Sequence, residues 1–167
     1  MSIENAHIIQ ASQAFIITGY IISIISIFYT QVIISYVAYS LQFIGLSGFL
    51  YSSYVKGIYQ YFLPIIGVLF VMAFNLYLLY NYNEKIENRR VPSSYYTFNT
   101  CSKWLILLET LLIYNKITTN GGTTLTEQPS EPKSSDSTIS VLGFLITLNI
   151  IIIITESVIL GNFSTDG

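Results

Sequence analysis

The first feature of this sequence is what it has little of, which is charged side chains. Only 10% of its 167 residues are Asp, Glu, Lys or Arg, whereas soluble domains average about 25%. None of these four types occurs between Glu4 and Lys56, where Ile, Phe, Tyr, Leu and Val dominate. Together with a mean hydropathy of +0.58, this scarcity excludes a soluble domain and predicts an integral membrane protein.

Residues that could perform chemistry are also scarce. A single histidine, His7, and a single cysteine, Cys101, allow neither an intramolecular disulfide nor a set of metal ligands. The sequence contains no glycine-rich phosphate loop and no convincing nucleophile–histidine–acid set. A net charge of −2 provides no basic face for nucleic acid. We therefore expect no enzymatic activity, no catalytic residues, no cofactor, no metal site and no nucleic-acid partner.

Long uncharged runs predict the membrane spans. A hydrocarbon core of about 30 Å needs about 20 apolar residues in a helix, and residues 5–55 are long enough to cross twice. We predict four spans: Gln13–Phe28, Val32–Val55, Tyr59–Tyr80 and Ile139–Leu160. Because no Gly or Pro marks a turn between the first two, one long tilted helix followed by an interfacial helix is the alternative to a hairpin there.

A shorter apolar stretch, Trp104–Tyr114, allows two interpretations. Glu109 interrupts it, and lysines bound it at both ends. It reaches spanning length only if residues 95–102 are included and Lys103 finds partners. Otherwise it is an amphipathic helix in the membrane interface. We expect Glu109 to face water or another chain, and Glu156 to reach the headgroups near the end of the last span.

The predicted fold is therefore all-α, a polytopic transmembrane helical bundle of four to five spans. Residues 1–116 form a bundle of three spans plus the short span or interfacial helix. Residues 117–138 form a polar linker rich in Ser, Thr and Pro, and residues 139–161 form a C-terminal transmembrane helix. The composition of the linker cannot bury a core, and we expect it to be mobile.

Small and polar residues inside the spans predict how the helices pack. Small residues recur at helical spacing in the first two spans: Gly19, Ser23, Ser26 and Thr30, then Ser35, Ala38, Gln42 and Gly45. Because small residues let helices approach closely in lipid, we predict a packing seam there. Asn75 and Asn149 are uncharged polar residues within spans, and we expect them to form hydrogen bonds between helices.

The polar segment Tyr82–Phe98 lies between two apolar stretches. In this setting it resembles small polytopic membrane proteins of large double-stranded DNA viruses of algae and protists, and the resemblance covers roughly residues 57–114. It implies a structural component of the internal membrane of a virion, or a membrane-anchored minor capsid protein, tied to the capsid shell. The polar linker and the last span lie outside the resemblance.

The same segment contains a cationic cluster next to a proline: Lys85, Arg89, Arg90 and Pro92. We predict that these residues contact a protein partner or lipid headgroups. The alternative is that the charges only set the orientation, since short loops rich in Lys and Arg stay cytoplasmic. That rule places the N-terminus on the non-cytoplasmic side and, if Trp104–Tyr114 spans the membrane, the C-terminus on the cytoplasmic side.

We therefore expect a structural membrane protein of a large assembly, whose partners are the lipid bilayer and other membrane or capsid proteins. An accessory subunit of a respiratory complex in an organellar inner membrane is the first alternative. A small channel or transporter is the second. It would require a continuous polar pathway, which one Glu and two Asn do not provide.

Overall fold

The computed structural model describes residues 3–29, 31–57, 59–123 and 132–166, with side chains for residues 6–29, 31–57, 59–117 and 137–162. These ranges contain five helices: α1 (Ile3–Phe28), α2 (Val32–Lys56), α3 (Phe62–Glu87), α4 (Ser93–Thr123) and α5 (Pro132–Asp166). Four contain a segment long and apolar enough to cross a membrane: Ala6–Phe28, Val32–Lys56, Phe62–Glu87 and Ser137–Asn162. The chain is thus an all-α polytopic membrane protein, as its composition predicts.

Two helix boundaries follow directly from the local sequence. Gly57 ends α2 with a φ of 77°, and its N–H donates back to the carbonyl oxygens of Ser53 and Tyr54. Glycine reaches this left-handed conformation without a steric penalty and commonly ends helices. Pro64 is the third residue of α3, where the missing N–H costs no helical hydrogen bond.

The structure differs from the predicted linker at residues 117–138. Helix α4 continues to Thr123, and α5 already begins at Pro132. A helix that is nucleated gains one hydrogen bond for each further residue it fixes, and proline suits the first position of a helix. The segment between the two helices, residues 124–131, lies outside the described residues.

The first two helices form an antiparallel hairpin rather than one long helix, and glycines let their backbones approach closely. A Cβ atom on Gly19 would lie 2.7 Å from Cγ of Gln42, and one on Gly45 would lie 2.9 Å from the carbonyl oxygen of Ser12. Side chains do not tolerate contacts this short. Glycine is therefore required at both positions of the predicted seam.

The serines of the seam also lie between helices. Ser23 and Ser26 are buried, and the Ser26 hydroxyl donates to the Ser23 carbonyl oxygen at 2.7 Å. The four residues that were singled out in the second span are buried as well: Ser35, Ala38, Gln42 and Gly45. Thr30 lies outside the described residues.

The helix directions alternate, so that particular helix ends share one face of the bundle. One small cavity is lined by the end of α1, the start of α2, the end of α3 and the start of α4: Ser26, Val32, Ile86 and Tyr95. Helix α5 runs antiparallel to α4, because Asn149 contacts Ser102 whereas the later Glu156 lies near the earlier Asn99. We call this end of the bundle the connector face. Exposed residues at the connector face include Gln31, Asn88 and Asn162, whereas Gln60 lies at the opposite face.

Helix α4 lies within the bundle and not along the membrane surface. It packs against α1, α3 and α5, and Ile106, Leu107 and Ile113 are almost completely buried. Because α4 begins at Ser93, residues 95–102 extend the apolar stretch as spanning requires. This packing favours a membrane-crossing α4 over an interfacial helix, although α4 is not among the four helices whose composition alone predicts a span.

The close approach of α1 and α2 predicts opposite effects for two alanine substitutions. Gly45→Ala is expected to lower the free energy of unfolding by about 1–3 kcal/mol, because its methyl group meets Ser12 and Ile16. Gly143→Ala is the matched control, since no atom lies within 4 Å of its methyl position and alanine favours helix by about 0.5–1 kcal/mol. Equilibrium unfolding in mild detergent measures both. Equal effects would contradict the close packing.

The helix directions predict which positions share a membrane side. In a Cys101→Ser background, single cysteines replace exposed Gln31, Asn88, Asn162 or Gln60. An impermeant maleimide applied to oriented vesicles should label the first three positions from one side and Gln60→Cys from the other. The positive-inside rule makes the connector face cytoplasmic. Labelling of Asn162→Cys from the same side as Gln60→Cys would contradict the topology.

Candidate functional site: a polar network inside the bundle

Several polar side chains of α4 point into the bundle. Ser102 and Glu109 are 0% exposed, and Lys103 is 6% exposed. Ser102 and Glu109 are seven residues apart and therefore lie on one face of the helix, two turns from each other. The expectation that Glu109 faces water or another chain is wrong, because other helices surround this face of α4.

Hydrogen bonds between uncharged side chains join α3, α4 and α5. The Ser102 hydroxyl donates to Oδ1 of Asn149 at 2.6 Å. The Asn75 amide donates to the Ser102 hydroxyl at 3.5 Å and to the Val71 carbonyl oxygen at 3.0 Å. The Asn149 amide donates to Oε2 of Glu109 at 3.4 Å. Both predicted asparagines thus meet at Ser102, a residue that the sequence analysis did not single out.

Lys103 points toward α1 and α2, where its ammonium group finds two acceptors. Nζ donates to the carbonyl oxygen of Ser26 at 3.1 Å and to the hydroxyl of Ser35 at 2.9 Å. The Ser26 carbonyl belongs to the last turn of α1, where carbonyl groups have no partner within the helix. A cation near a helix C-terminus is also stabilised by the helix dipole. Lys103 therefore has the hydrogen-bond partners that it needs if α4 crosses the membrane.

Glu156 is the second buried carboxylate, and its position corrects another expectation. It is 0% exposed, so that its side chain faces the other helices and does not point outward as the expected contact with headgroups requires. It belongs to the buried face of α5, whose residues recur at spacings of three and four: Leu142, Ile146, Asn149, Ile153, Glu156 and Leu160. The charge of Lys103 interacts with the Glu156 carboxyl group, and Asn99 and Tyr39 are polar neighbours of Glu156.

Some buried polar atoms of this region have no hydrogen-bond partner of normal geometry among the described residues. They include Oε1 of Glu109, both carboxylate oxygens of Glu156 and the side-chain amide of Gln42. A buried polar group without a partner typically costs about 1–3 kcal/mol, and a charged group costs more. Among the described residues, the hydrogen-bonding capacity of the network is therefore only partly satisfied.

A small cavity at the connector face adjoins the network. Its volume is about 40 Å³, and its polar lining includes Ser35, Asn99, Thr100 and Lys103. A cavity needs roughly 10–15 Å³ to hold a water molecule, together with two or more polar partners. This cavity therefore has the size and the polar groups that water requires.

Of the predicted contact residues, Lys85 lies in the last turn of α3, and Arg89, Arg90 and Pro92 lie on the connector between α3 and α4. Arg89 and Arg90 are exposed, whereas Lys85 and Pro92 are half-buried. The guanidinium carbon of Arg89 lies 5.5 Å from the ring centroid of Tyr96. The backbone N–H of Arg90 donates to the Lys85 carbonyl oxygen at 2.8 Å. The four predicted residues are thus close together and are separate from the buried network.

Tyr96 connects this exposed cluster with the cavity. Its hydroxyl donates to the Ile86 carbonyl oxygen at 2.6 Å, and its ring lines the cavity. In the part of the chain that the structure describes, no group of three or more His, Cys, Asp or Glu residues could hold a metal ion. The two candidate sites are therefore the connector, which can contact a partner, and the polar network behind it.

Comparisons of the chain with protein-family models, with curated proteins and with solved structures give no match. The fold and the site define an integral membrane helical bundle whose apolar core contains a polar network. Its function is argued below from its own geometry.

The electrostatic interaction between Lys103 and Glu156 predicts a non-additive pair of substitutions. Lys103→Met should lower the free energy of unfolding by about 3–5 kcal/mol, because it removes two hydrogen bonds and leaves Glu156 without a cation. Adding Glu156→Gln should restore about 0.5–3 kcal/mol relative to the sum of the single effects. Lys116→Met, at a half-buried lysine of the same helix, is the control. Additive effects in detergent unfolding would contradict the pairing.

Proposed function

We propose that this protein is a structural component of a large membrane-containing assembly, embedded in the internal membrane of a virion and docked to neighbouring membrane or capsid proteins. The α3–α4 connector, residues 88–92, is the proposed docking element. The observation that carries the proposal is a connector with two exposed arginines whose backbone N–H groups donate to carbonyl oxygens in the last turn of α3. The resemblance of Tyr82–Phe98 to viral membrane proteins supports the same role.

The backbone of the connector favours a role for the arginine side chains. Arg89 has a φ of 56°, a left-handed conformation that is uncommon for residues other than glycine. Such a conformation costs of the order of 1–3 kcal/mol for a non-glycine residue. Because glycine would fit this backbone better, the arginine at this position is best explained by what its guanidinium group contacts.

The chemistry of arginine suits docking. Arg89 and Arg90 can each form forked, charge-assisted hydrogen bonds with carboxylate or phosphate groups. An exposed ion pair contributes only about 0–1 kcal/mol, but a partner that excludes water from the connector would strengthen these contacts. A protein partner that presents carboxylates at the membrane edge would meet both conditions.

The rest of the proposed role is passive. Exposed apolar side chains on the outer faces of the bundle are available to lipid, among them Ile17, Ile21, Ile151 and Ile154. The proposal includes no catalytic activity, since one histidine and one cysteine offer no convergent set of acid, base and nucleophile.

The alternative is that the protein is an accessory subunit of a respiratory complex in an organellar inner membrane. It would use the same connector and the same lipid-facing surfaces. A mass-spectrometric inventory of the purified particle that contains this chain separates the two. Capsid proteins in the inventory would support the virion, and respiratory subunits would support the organelle.

The docking role predicts that the guanidinium groups matter beyond their charge. Arg89→Lys combined with Arg90→Lys keeps the charge, and so the topology. It removes the paired N–H donors with which a guanidinium group binds a carboxylate or phosphate group. We expect this variant to insert normally and to incorporate poorly into the parent assembly, as measured by co-purification. Lys56→Arg, at the opposite face, is the conservative control and should incorporate normally.

A second variant separates docking from folding. Arg89→Gly suits the left-handed backbone, so that the purified protein should be at least as stable as the wild type while its incorporation falls. Normal incorporation of both the Arg89→Gly and the double lysine variants would leave the arginines as orientation charges and refute the docking role.

A further inference from the structure

The buried carboxylates have no role in the docking proposal, yet they are the most unusual groups in the bundle. We propose that Glu109 is a proton-binding site inside the membrane, reached from the connector-face cavity past Lys103 and Glu156. The inference is independent of the proposed docking function and rests on burial, on unpaired oxygens and on the position of the cavity.

The surroundings of Glu109 require a neutralising ligand. The residue is 0% exposed, its Oε1 has no hydrogen-bond partner among the described residues, and its Oε2 has one long contact from Asn149 at 3.4 Å. An ionised carboxylate that is buried with so little compensation costs several kcal/mol. Ionisable groups inside membrane segments are rare, and they typically mark proton or ion pathways.

A proton fits this site better than a metal ion. A hard cation such as Ca²⁺ takes six to eight oxygen ligands, whereas the polar neighbour of Glu109 presents an amide N–H. The described residues also contain no cluster of three acidic or other metal-ligating side chains. Near Glu156, the Lys103 ammonium already supplies a positive charge. A single proton on Oε1 would remove the charge of Glu109 without any of these ligands.

A polar route leads from the connector face to Glu109. The cavity of about 40 Å³ has room for water and is lined by Asn99 and Lys103. Asn99 and Lys103 both interact with Glu156, which also faces the phenol groups of Tyr39 and Tyr95. The cavity therefore places the first carboxylate, Glu156, close to a water-sized space.

The second part of the route follows one face of α5. Asn149 precedes Glu156 by seven residues, about 10 Å along the helix axis, and hydrogen-bonds to both Ser102 and Glu109. On α4, the next residue of this face beyond Glu109 is the completely buried, apolar Ile113. The polar route thus opens toward the connector face, and on this face of α4 it ends at Ile113. The buried neighbour Thr110 lines a separate pocket whose other walls are mainly apolar, among them Ile16 and Ile21.

The binding step is a simple proton transfer. A hydronium ion that enters by the cavity gives one proton to Oε1 of Glu109. One O–H bond of the hydronium breaks, a new O–H bond forms on the carboxyl group, and a neutral water molecule returns to the cavity. The reverse transfer releases the proton to the same face.

Infrared spectroscopy of the full-length protein in lipid vesicles tests this site. At neutral pH the wild type should show the C=O band of a protonated carboxyl group, and D₂O should shift that band. Glu109→Gln should abolish the band. Glu84→Gln, which changes an exposed carboxylate in the connector region, should leave it unchanged. A wild-type spectrum without the band would overturn the proposal whether or not any variant folds.

The rate of the D₂O shift tests the route. Glu156→Gln should keep the Glu109 band but slow its exchange about tenfold or more, because an amide cannot take up and release a proton as a carboxylate does. Thr97→Leu, at an exposed position near the start of α4, should not slow the exchange. A Glu109 band that exchanges at the wild-type rate in Glu156→Gln would refute this path from the connector face.

Discussion

A lysine ammonium group inside a membrane bundle must be provided with partners, and the packing of this protein depends on how Lys103 obtains them. Its two hydrogen bonds reach the end of α1 and the start of α2, and its charge faces Glu156 on α5. One side chain of α4 thus interacts with three other helices. Because an unpaired cation at this depth is expensive, these contacts explain why α4 lies inside the bundle although its composition is the least suited to lipid.

The fold was largely predictable from hydropathy. The second span, for example, was predicted to begin at Val32 and to end at Val55, and α2 ends one residue later at Lys56. Local periodicity identifies such helices because each apolar run is long enough to span a bilayer. The helix ends were less predictable, because α4 and α5 extend into a segment whose polar composition is typical of a linker.

The candidate site was much harder to predict, since its contacts join residues far apart in the chain. Lys103 and Ser26 are 77 positions apart, and local spacing contains no information about such a pair. One signal was nevertheless present. Ser102 and Glu109 are seven residues apart on α4, as are Asn149 and Glu156 on α5, and two polar stripes at this spacing indicate helix faces that can pack against each other. Taken singly, by contrast, the two carboxylates suggest outward positions: Glu109 facing water or another chain, and Glu156 reaching the headgroups.

The proposed docking element and the polar network are neighbours. Tyr96 lies beneath the guanidinium group of Arg89, bonds to the end of α3 and lines the cavity that adjoins Lys103. The connector therefore covers an end of the bundle at which a water-sized cavity adjoins the buried charges. A structural role at the membrane edge and a proton site behind it are compatible in one small bundle.

The most direct test of this account is the contact of Lys103 itself. Solid-state NMR of the isotopically labelled protein in lipid bilayers can measure the dipolar coupling between Nζ of Lys103 and the carbonyl group of Ser26. The account predicts a coupling that corresponds to an N–O distance near 3.1 Å. A Lys103 ammonium group that couples only to water or to lipid headgroups would contradict it, because α4 would then lie outside the bundle.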